Sequence, residues 1–181
     1  MRVLTANCEN NEKIMHDVAW SLLFEYLEEE YKLRADCITV DRTPNGKPFL
    51  SSHPHIHFSI AHSNGCVACA ISDAPIGIDL ERIRPISARI KKRMLNLPEL
   101  ADDTLAVSRF TELESYVKLI GGKLFGMGYD ELKKTADKTC RFIDCSHLVG
   151  EEYKLTLCIW TENEKTEAFP APLSEVASDP L

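Results

Sequence analysis

The sequence predicts an α+β protein with two similar lobes, and three observations support this class. Helical and strand patterns occur twice in the same order along the chain, a helix first and strands after it. The strand segments are short apolar or alternating runs separated by turn residues. The 181 residues are 44% hydrophobic and 27% charged, as in ordinary soluble globular proteins. We place the lobes at 1–75 and 76–169, followed by a loose tail at 170–181.

The first lobe begins with a helix predicted over 13–33, for which Asn11 is a suitable N-cap. The apolar positions that recur there at helical spacing are Ile14, Val18, Leu22, Tyr26 and Leu27. Strands are predicted over 36–42, 57–61 and 66–72, with turns at 44–46 and 62–65.

The second lobe begins with a strand predicted over 76–81, followed by a linker or helix of basic character. A long helix is predicted over 108–120, and the Gly121-Gly122 pair ends it. Two further strands, predicted near 139–145 and over 153–160, complete this lobe.

The charge distribution excludes some classes of partner. A net charge of −7 argues against broad nucleic-acid binding. Segment 82–98 nevertheless contains six positive and no acidic residues, which indicates a specific acidic partner. The positive residues are Arg82, Arg84, Arg89, Lys91, Lys92 and Arg93. No apolar run is long enough to span a bilayer and no signal-peptide core is present, so we expect a cytoplasmic protein.

Cysteine and histidine residues leave a metal-binding alternative open. Seven scattered cysteines argue against a disulfide framework. Cys66 and Cys69 form a CxxC, but it lies in a predicted buried strand, where thiols act as small apolar side chains. His53, His55 and His57 alternate and could share a strand face that holds a transition metal, although the segment resembles an ordinary loop. A regulatory domain that binds zinc through such residues is therefore one alternative.

The strand IGIDLE carries two carboxylates. Alternation places Ile76, Ile78 and Leu80 on one face and Gly77, Asp79 and Glu81 on the other. Asp79 and Glu81 are then about 7 Å apart, close enough to share a hard divalent cation. A solvated polar face of an edge strand is the plainer interpretation.

The second long helix carries a further carboxylate and a lysine. Its predicted apolar face consists of Phe110, Leu113, Val117 and Ile120. Glu114 and Lys118 form an i,i+4 pair beside that face, which either is a surface salt bridge or points into a groove between the lobes. His62, at the end of a strand, could contact a phosphate or simply bond turn backbone.

Four segments together resemble the successive motifs of the surfactin-type 4'-phosphopantetheinyl transferases. They are NGKPF at 45–49, FSIAHS at 58–63, IGIDLE at 76–81 and FTELESYVKLIG at 110–121. The resemblance implies two lobes, each a small, mostly antiparallel sheet on a long helix, with the active site at their interface. It implies transfer of the 4'-phosphopantetheine arm of coenzyme A to a serine of an acyl or peptidyl carrier protein, with Mg²⁺ required and 3',5'-ADP released.

By motif position, the resemblance implies that Asp79, Glu81 and Glu114 bind Mg²⁺, and that the coenzyme A pyrophosphate completes the coordination shell of the ion. Glu114 would be, or orient, the base for the carrier serine, and Lys118 would stabilise the departing 3',5'-ADP. The residues implied on the coenzyme A side are Lys47 and Pro48 near adenine, His62 at the 3'-phosphate, Asp79 and Lys118. The residues expected to meet the acidic carrier helix are Arg84, Arg89, Lys91, Lys92 and Arg93.

Some positions differ from the usual motifs, and two of them define a second alternative. Leu113 stands where the family usually has lysine, and Ala61 where it commonly has serine. The alternative function is that of a catalytically weak or inactive relative, which binds carrier protein or coenzyme A without transfer. Because the implied site forms within one chain, we expect a monomer.

Overall fold

The computed structural model describes residues 1–122 and 128–161. In this range the chain is α+β, as predicted, with helices packed against small antiparallel sheets. The predicted tail at 170–181 and the last residues of the predicted second lobe lie outside the described residues. The division into two lobes and its boundary remain predictions.

The described elements follow in chain order. The strands are β1 (Arg2–Asn7), β2 (Val40–Arg42), β3 (Pro48–Leu50), β4 (His57–Ser63), β5 (Cys66–Ser72), β6 (Ile76–Arg82), β7 (Cys140–Asp144) and β8 (Tyr153–Trp160). The α-helices are α1 (Glu12–Tyr31), α2 (Ala88–Arg93), α3 (Asp103–Ile120) and α4 (Tyr129–Thr139). Short 3-10 turns lie at Ala35–Cys37 and Ser146–Leu148. The sequence analysis did not predict β1, β3 or α4.

The first sheet has the strand order β1-β5-β4, with antiparallel pairing throughout. Helix α1 packs on it, and the Asn11 side chain caps the helix by accepting from the backbone N–H groups of Lys13 and Ile14. The predicted apolar face of α1 is wrong by one position. The buried residues are Met15, Ala19, Leu23 and Leu27. Of these, only Leu27 belongs to the predicted face. The sheet covers the neighbouring stripe of the helix, so the other four residues of the predicted face are half-buried.

The predicted strand at 36–42 is wrong in its first half. The Arg34 guanidinium bonds the Asp36 carboxylate at 2.9 and 3.1 Å, and the Cys37 N–H donates to the Arg34 carbonyl, so the chain forms a 3-10 turn there. Strand β2 begins only at Val40 and forms a hairpin with β3. The predicted turn at 44–46 is confirmed, with Gly46 at φ 91°.

The hairpin between β4 and β5 is tighter than predicted. Strand β4 extends through Ser63, so that the turn contains only Asn64 and Gly65. Both residues have positive φ, 47° and 84°, as a two-residue hairpin turn requires. This turn places Ser63 at the very end of β4.

The second sheet has the order β6-β8-β7, and α3 crosses β6 and β8. Helix α3 begins at Asp103, earlier than predicted, because the Asp102 carboxylate caps it, and it ends at Gly121 with φ 63°. Its predicted apolar face is partly wrong. Ile120 is 40% exposed, whereas Thr111 is fully buried and its hydroxyl lies 2.7 Å from that of Thr156 in β8. Hydroxyl pairing makes a polar residue acceptable at this helix–sheet contact.

Strands β4 and β6 lie beside each other and join the two sheets through side chains. The Ser59 hydroxyl accepts from the Ile78 N–H, and the Ser63 hydroxyl accepts from the Arg82 N–H, both at 3.1 Å. The predicted alternation of β6 is confirmed. Its apolar face enters the shared core, which contains Ala61, Ala68, Ile76, Ile78, Leu80, Leu155 and Leu157.

None of the seven cysteines, all of which lie in the described residues, forms a disulfide, as the sequence analysis predicts. Cys66 and Cys69 are buried in β5, where they act as core side chains. Among the described residues, no helix combines the length and apolar character needed to cross a bilayer.

Candidate active site

The close approach of α3 to β6 brings the predicted site residues together. Gly77 makes this approach possible, because a Cβ atom at that position would lie 2.0 Å from the Ser115 carbonyl oxygen and 2.5 Å from the Leu119 nitrogen. Ser115 and Leu119 directly follow Glu114 and Lys118 on the helix. The glycine of the IGIDLE strand therefore lets the helix that carries Glu114 and Lys118 lie against the strand that carries Asp79 and Glu81.

Asp79 and Lys118 form an ion pair in this contact. Lys118 Nζ donates to Asp79 Oδ1 at 2.8 Å and to the Ile60 carbonyl oxygen of β4 at 3.4 Å. The Asp79 side chain is 8% exposed and the Lys118 side chain 32% exposed. Burial raises the pKa of Asp79, and Lys118 offsets only part of that increase. The second carboxylate oxygen, Oδ2, accepts no hydrogen bond from any described residue.

Glu81 and Glu114 are half-buried beside this pair. Burial raises the pKa of both carboxyl groups, and the negative charge of Asp79 raises each further. Glu81 raises the pKa of Glu114 as well. Three carboxylates from β6 and α3 thus lie within electrostatic range of one another, and together they would be neutralised by a cation.

The donor chemistry of these carboxylates fits magnesium, although they form no ready cage. Within 1–122 and 128–161, no three His, Cys, Asp or Glu side chains are arranged to hold a metal ion as they stand. Magnesium commonly binds one or two carboxylates plus substrate phosphates and waters, so a complete protein cage is not required. The unpartnered Asp79 Oδ2 is an oxygen donor of the kind this chemistry needs. By contrast, the alternating histidines His53, His55 and His57 do not share a strand, because β4 begins at His57.

Lys47 and Asn45 connect the β2–β3 hairpin to the end of α3. Lys47 Nζ donates to the Leu119 carbonyl at 3.1 Å and to the Ile76 carbonyl at 3.4 Å. Asn45 Nδ2 donates to the Gly121 carbonyl at 2.9 Å. Burial lowers the pKa of Lys47 to about 8. A cation at a helix C-terminus is favourable, so the Lys47 side chain braces α3 against β6 here, and its predicted adenine-side role stays a prediction.

Pro48 and His62 lie on the first-sheet side of this contact. Pro48 begins β3 and pairs with Arg42 in the hairpin. His62 is half-buried in β4, where alternation places it on the face of Phe58 and Ile60, which packs toward α1. Ser63, on the opposite face, contacts Glu81 instead, with its hydroxyl 3.4 Å from Oε2. The predicted roles of Pro48 and His62 in coenzyme A binding therefore remain predictions.

Ser63 is the residue at this site that the sequence analysis did not single out. Its position at the end of FSIAHS, directly before Asn64-Gly65, was the available signal. Because that dipeptide favours a two-residue turn, the strand register follows from it. The sequence does not reveal that the hydroxyl meets a carboxylate of another sheet.

The basic segment forms an exposed surface on and before α2, with one correction. Arg84, Arg89, Lys92 and Arg93 are exposed. Lys91, predicted to bind a partner, is 6% exposed, and its Nζ bonds Asp103 Oδ1 at 2.7 Å and the Ala101 carbonyl at 2.6 Å. Because its charge is satisfied internally, Lys91 holds α2 to the start of α3 and adds no accessible charge.

Leu113 and Ala61, which depart from the family motifs, are both in the core. Leu113 is 0% exposed and packs in the cluster of α3, α4 and β8, and Ala61 is 4% exposed between the sheets. An apolar residue suits each environment. Leu113 therefore brings no positive charge to the carboxylates of Asp79, Glu81 and Glu114.

The chain is similar to several curated 4'-phosphopantetheinyl transferases. No protein-family model matches the chain. It is 37% identical over 81 residues to the 4'-phosphopantetheinyl transferase psf-1 of Bacillus pumilus, covering 45% of this chain and 35% of the relative. It is 37% identical over 81 residues to the 4'-phosphopantetheinyl transferase Sfp of Bacillus subtilis (strain 168), covering 45% and 36%.

A longer alignment relates the chain to the 4'-phosphopantetheinyl transferase gsp of Aneurinibacillus migulanus. The two are 36% identical over 114 residues, which cover 58% of this chain and 47% of the relative. The chain thus spans less than half the length of each of these three relatives. The resemblance that the motifs predict is confirmed: over about half of its residues, this chain is similar to enzymes of the surfactin type of 4'-phosphopantetheinyl transferase.

Proposed function

We propose that this protein transfers the 4'-phosphopantetheine arm from coenzyme A to a serine of an acyl or peptidyl carrier protein, with Mg²⁺ required and 3',5'-ADP released. The main support is the meeting of Asp79, Glu81, Glu114 and Lys118 at one contact between β6 and α3. The similarity to named transferases supports the same reaction.

The proposed reaction makes one bond and breaks one bond. The carrier serine oxygen bonds the phosphorus atom of the phosphopantetheine phosphate, while the pyrophosphate link to 3',5'-ADP breaks. Glu114 takes the serine proton or orients the group that takes it.

Lys118 and the acidic residues would control charge during this step. The Lys118 ammonium, now on Asp79 Oδ1, would stabilise the negative charge that develops on the departing 3',5'-ADP. Magnesium on Asp79, Glu81 and Glu114 would supply Lewis-acid stabilisation and a template for the two phosphates. The coenzyme A side of the site would be formed by Lys47, Pro48 and His62. In-line positioning of the serine oxygen, the phosphorus and the leaving group would supply most of the remaining catalysis.

The carrier would dock on the exposed basic surface of Arg84, Arg89, Lys92 and Arg93. Carrier proteins present an acidic helix around the target serine, and opposite charges accelerate and orient such an encounter. This partner fits a chain that is acidic as a whole, at −7, but locally basic beside the carboxylates.

The test is the intact mass of an apo carrier protein after incubation with this protein, coenzyme A and magnesium. We expect a gain equal to one phosphopantetheine arm, abolished by EDTA and in Asp79→Asn. Glu28→Gln, an exposed carboxylate of α1, is the matched control and should leave the gain intact. No gain with any of several carriers would reject the transferase.

A second candidate, binding of carrier or coenzyme A without transfer, is favoured by one observation. Leu113 is fully buried, so the lysine usual at that position is replaced by a core side chain. In that case coenzyme A or the carrier would bind with measurable affinity while the mass of the carrier stayed unchanged.

A further inference from the structure

Ser63 differs from the other serine that joins β4 to β6. Ser59 and Ser63 are four residues apart on the same face of β4, and each accepts a backbone N–H of β6 at 3.1 Å. Ser63 has an additional neighbour, because its hydroxyl lies 3.4 Å from Glu81 Oε2. Among the described residues, the Ser59 hydroxyl bonds no carboxylate, so the two serines form a natural comparison.

The other partners of Ser63 determine where its proton points. A hydroxyl has one proton to donate and two lone pairs that accept. The Arg82 N–H uses one lone pair, and Asn64 Nδ2, at 3.4 Å, uses the other. The proton is then directed to the remaining polar neighbour, Glu81 Oε2.

The turn that carries Asn64 is itself held by the second sheet. The Tyr153 hydroxyl of β8 donates to the Asn64 carbonyl at 2.8 Å. Tyr153 thus holds the backbone of Asn64, and the side-chain amide of the same residue donates to the Ser63 hydroxyl that faces Glu81. Arg84 Nη2 lies 3.8 Å from the same oxygen, Oε2, so both contacts act on one side of the Glu81 carboxylate.

We propose that Ser63 is a positioning residue, which orients the Glu81 carboxylate for metal binding through a hydroxyl whose direction Asn64 and Arg82 determine. This inference rests on the proposed function, since it takes Glu81 as a metal ligand. A carboxylate held in one orientation loses less side-chain freedom when it binds a cation. Ser59 makes the same contact to β6 without this role.

The test measures binding of Mn²⁺ alone, by electron paramagnetic resonance of the free ion, to the full chain and to matched variants. We expect Ser63→Ala to raise the dissociation constant about five- to tenfold, the net contribution of one ordinary hydrogen bond, because the contact to Glu81 is long at 3.4 Å. Ser59→Ala, which removes the equivalent strand contact, should stay within about twofold of wild type, as should Ser63→Thr, which keeps the hydroxyl. Urea unfolding should show similar stability losses for the two alanine variants.

A fourth variant keeps the inference testable if Ser63→Ala fails to fold. Asn64→Gly preserves the positive φ of the turn but removes the amide, and we expect about a two- to threefold weaker Mn²⁺ affinity. If Ser63→Ala and Ser59→Ala bind Mn²⁺ with equal affinity, this inference is wrong while the proposed metal site stands. If Ser63→Ala does not fold, wild-type Mn²⁺ affinity of Asn64→Gly has the same meaning. Absence of Mn²⁺ binding to the wild-type chain would overturn the proposed metal site and this inference together.

Discussion

Substitution of Gly77 by alanine tests the central claim that the site depends on close contact between β6 and α3. The new Cβ atom would lie 2.0 Å from the Ser115 carbonyl oxygen, against 3.4 Å for ordinary contact, a shortfall of about 1.4 Å. It would also lie 2.5 Å from the Leu119 nitrogen. Both obstacles are helix backbone, so no side-chain rotation relieves them and α3 must move away as a unit.

The expected cost follows from this geometry. Overpacking typically costs about 1–3 kcal/mol, and a clash with backbone belongs at or above the upper end. A shift of about 1 Å would also lengthen the 2.8 Å bond from Lys118 to Asp79 beyond hydrogen-bonding range. Since a displacement of about 1 Å can reduce catalysis about 100-fold, we expect transfer to fall by about that factor.

The assay is urea unfolding for the free energy of unfolding, with carrier modification measured in parallel. Gly128→Ala is the control, because a Cβ there would meet its nearest atom at 3.9 Å and the backbone φ is −93°. The control should stay within about 1 kcal/mol of wild type. A Gly77→Ala protein with wild-type stability and activity would refute the argument that this glycine determines the helix position.

Three further predictions concern the charged residues around this contact. Burial lowers the Lys47 pKa from 10.5 to about 8, so between pH 8 and 10.5 the unfolded chain binds more protons than the folded chain. The free energy of unfolding of wild type, relative to that of Lys47→Met, should therefore rise by up to about 3 kcal/mol from pH 8 to 10.5. Urea unfolding across that range measures the difference, and a flat difference contradicts the cause given. Lys118→Met should destabilise the fold by about 3 kcal/mol, because it leaves the buried Asp79 charge unpaired, and adding Asp79→Asn should recover most of that loss in thermal or urea unfolding. Equal stability of the single variant and wild type would show that the pair is not coupled. Lys92→Glu should weaken carrier binding at low salt without changing the melting temperature, because Lys92 is exposed. Lys91→Met should lower the free energy of unfolding by about 3 kcal/mol, because Lys91 is buried and paired with Asp103. The reverse pattern would contradict the assignment of the two lysines.

The local patterns of the chain were sufficient to predict much of the fold. The alternation of IGIDLE correctly separated the core residues Ile76, Ile78 and Leu80 from Asp79 and its neighbours. Side-chain direction in a strand is a local property, and so it can be predicted from order alone. The Asn11 cap and the Gly121 stop were also correct, because each depends on bonds within a few residues.

Tertiary contacts decided the features that the sequence analysis missed. The buried stripe of α1 depends on which side the first sheet covers, and the burial of Thr111 depends on Thr156, 45 positions away. Lys91 looked like part of a uniform basic segment, yet Asp103 bonds it internally. Periodicity cannot identify these partners, because they come from elements far apart in the chain.

The amino-acid sequence by itself determined the class of elements, the residue types at the candidate site and the family that they resemble. Only the tertiary structure decided that α3 approaches β6 at Gly77, that Lys118 lies on Asp79, and that Ser63 meets Glu81. The physical reason is range: propensities, caps and turns act over a few residues, whereas a site made of one strand, one helix and the end of another strand exists only after the sheets have packed.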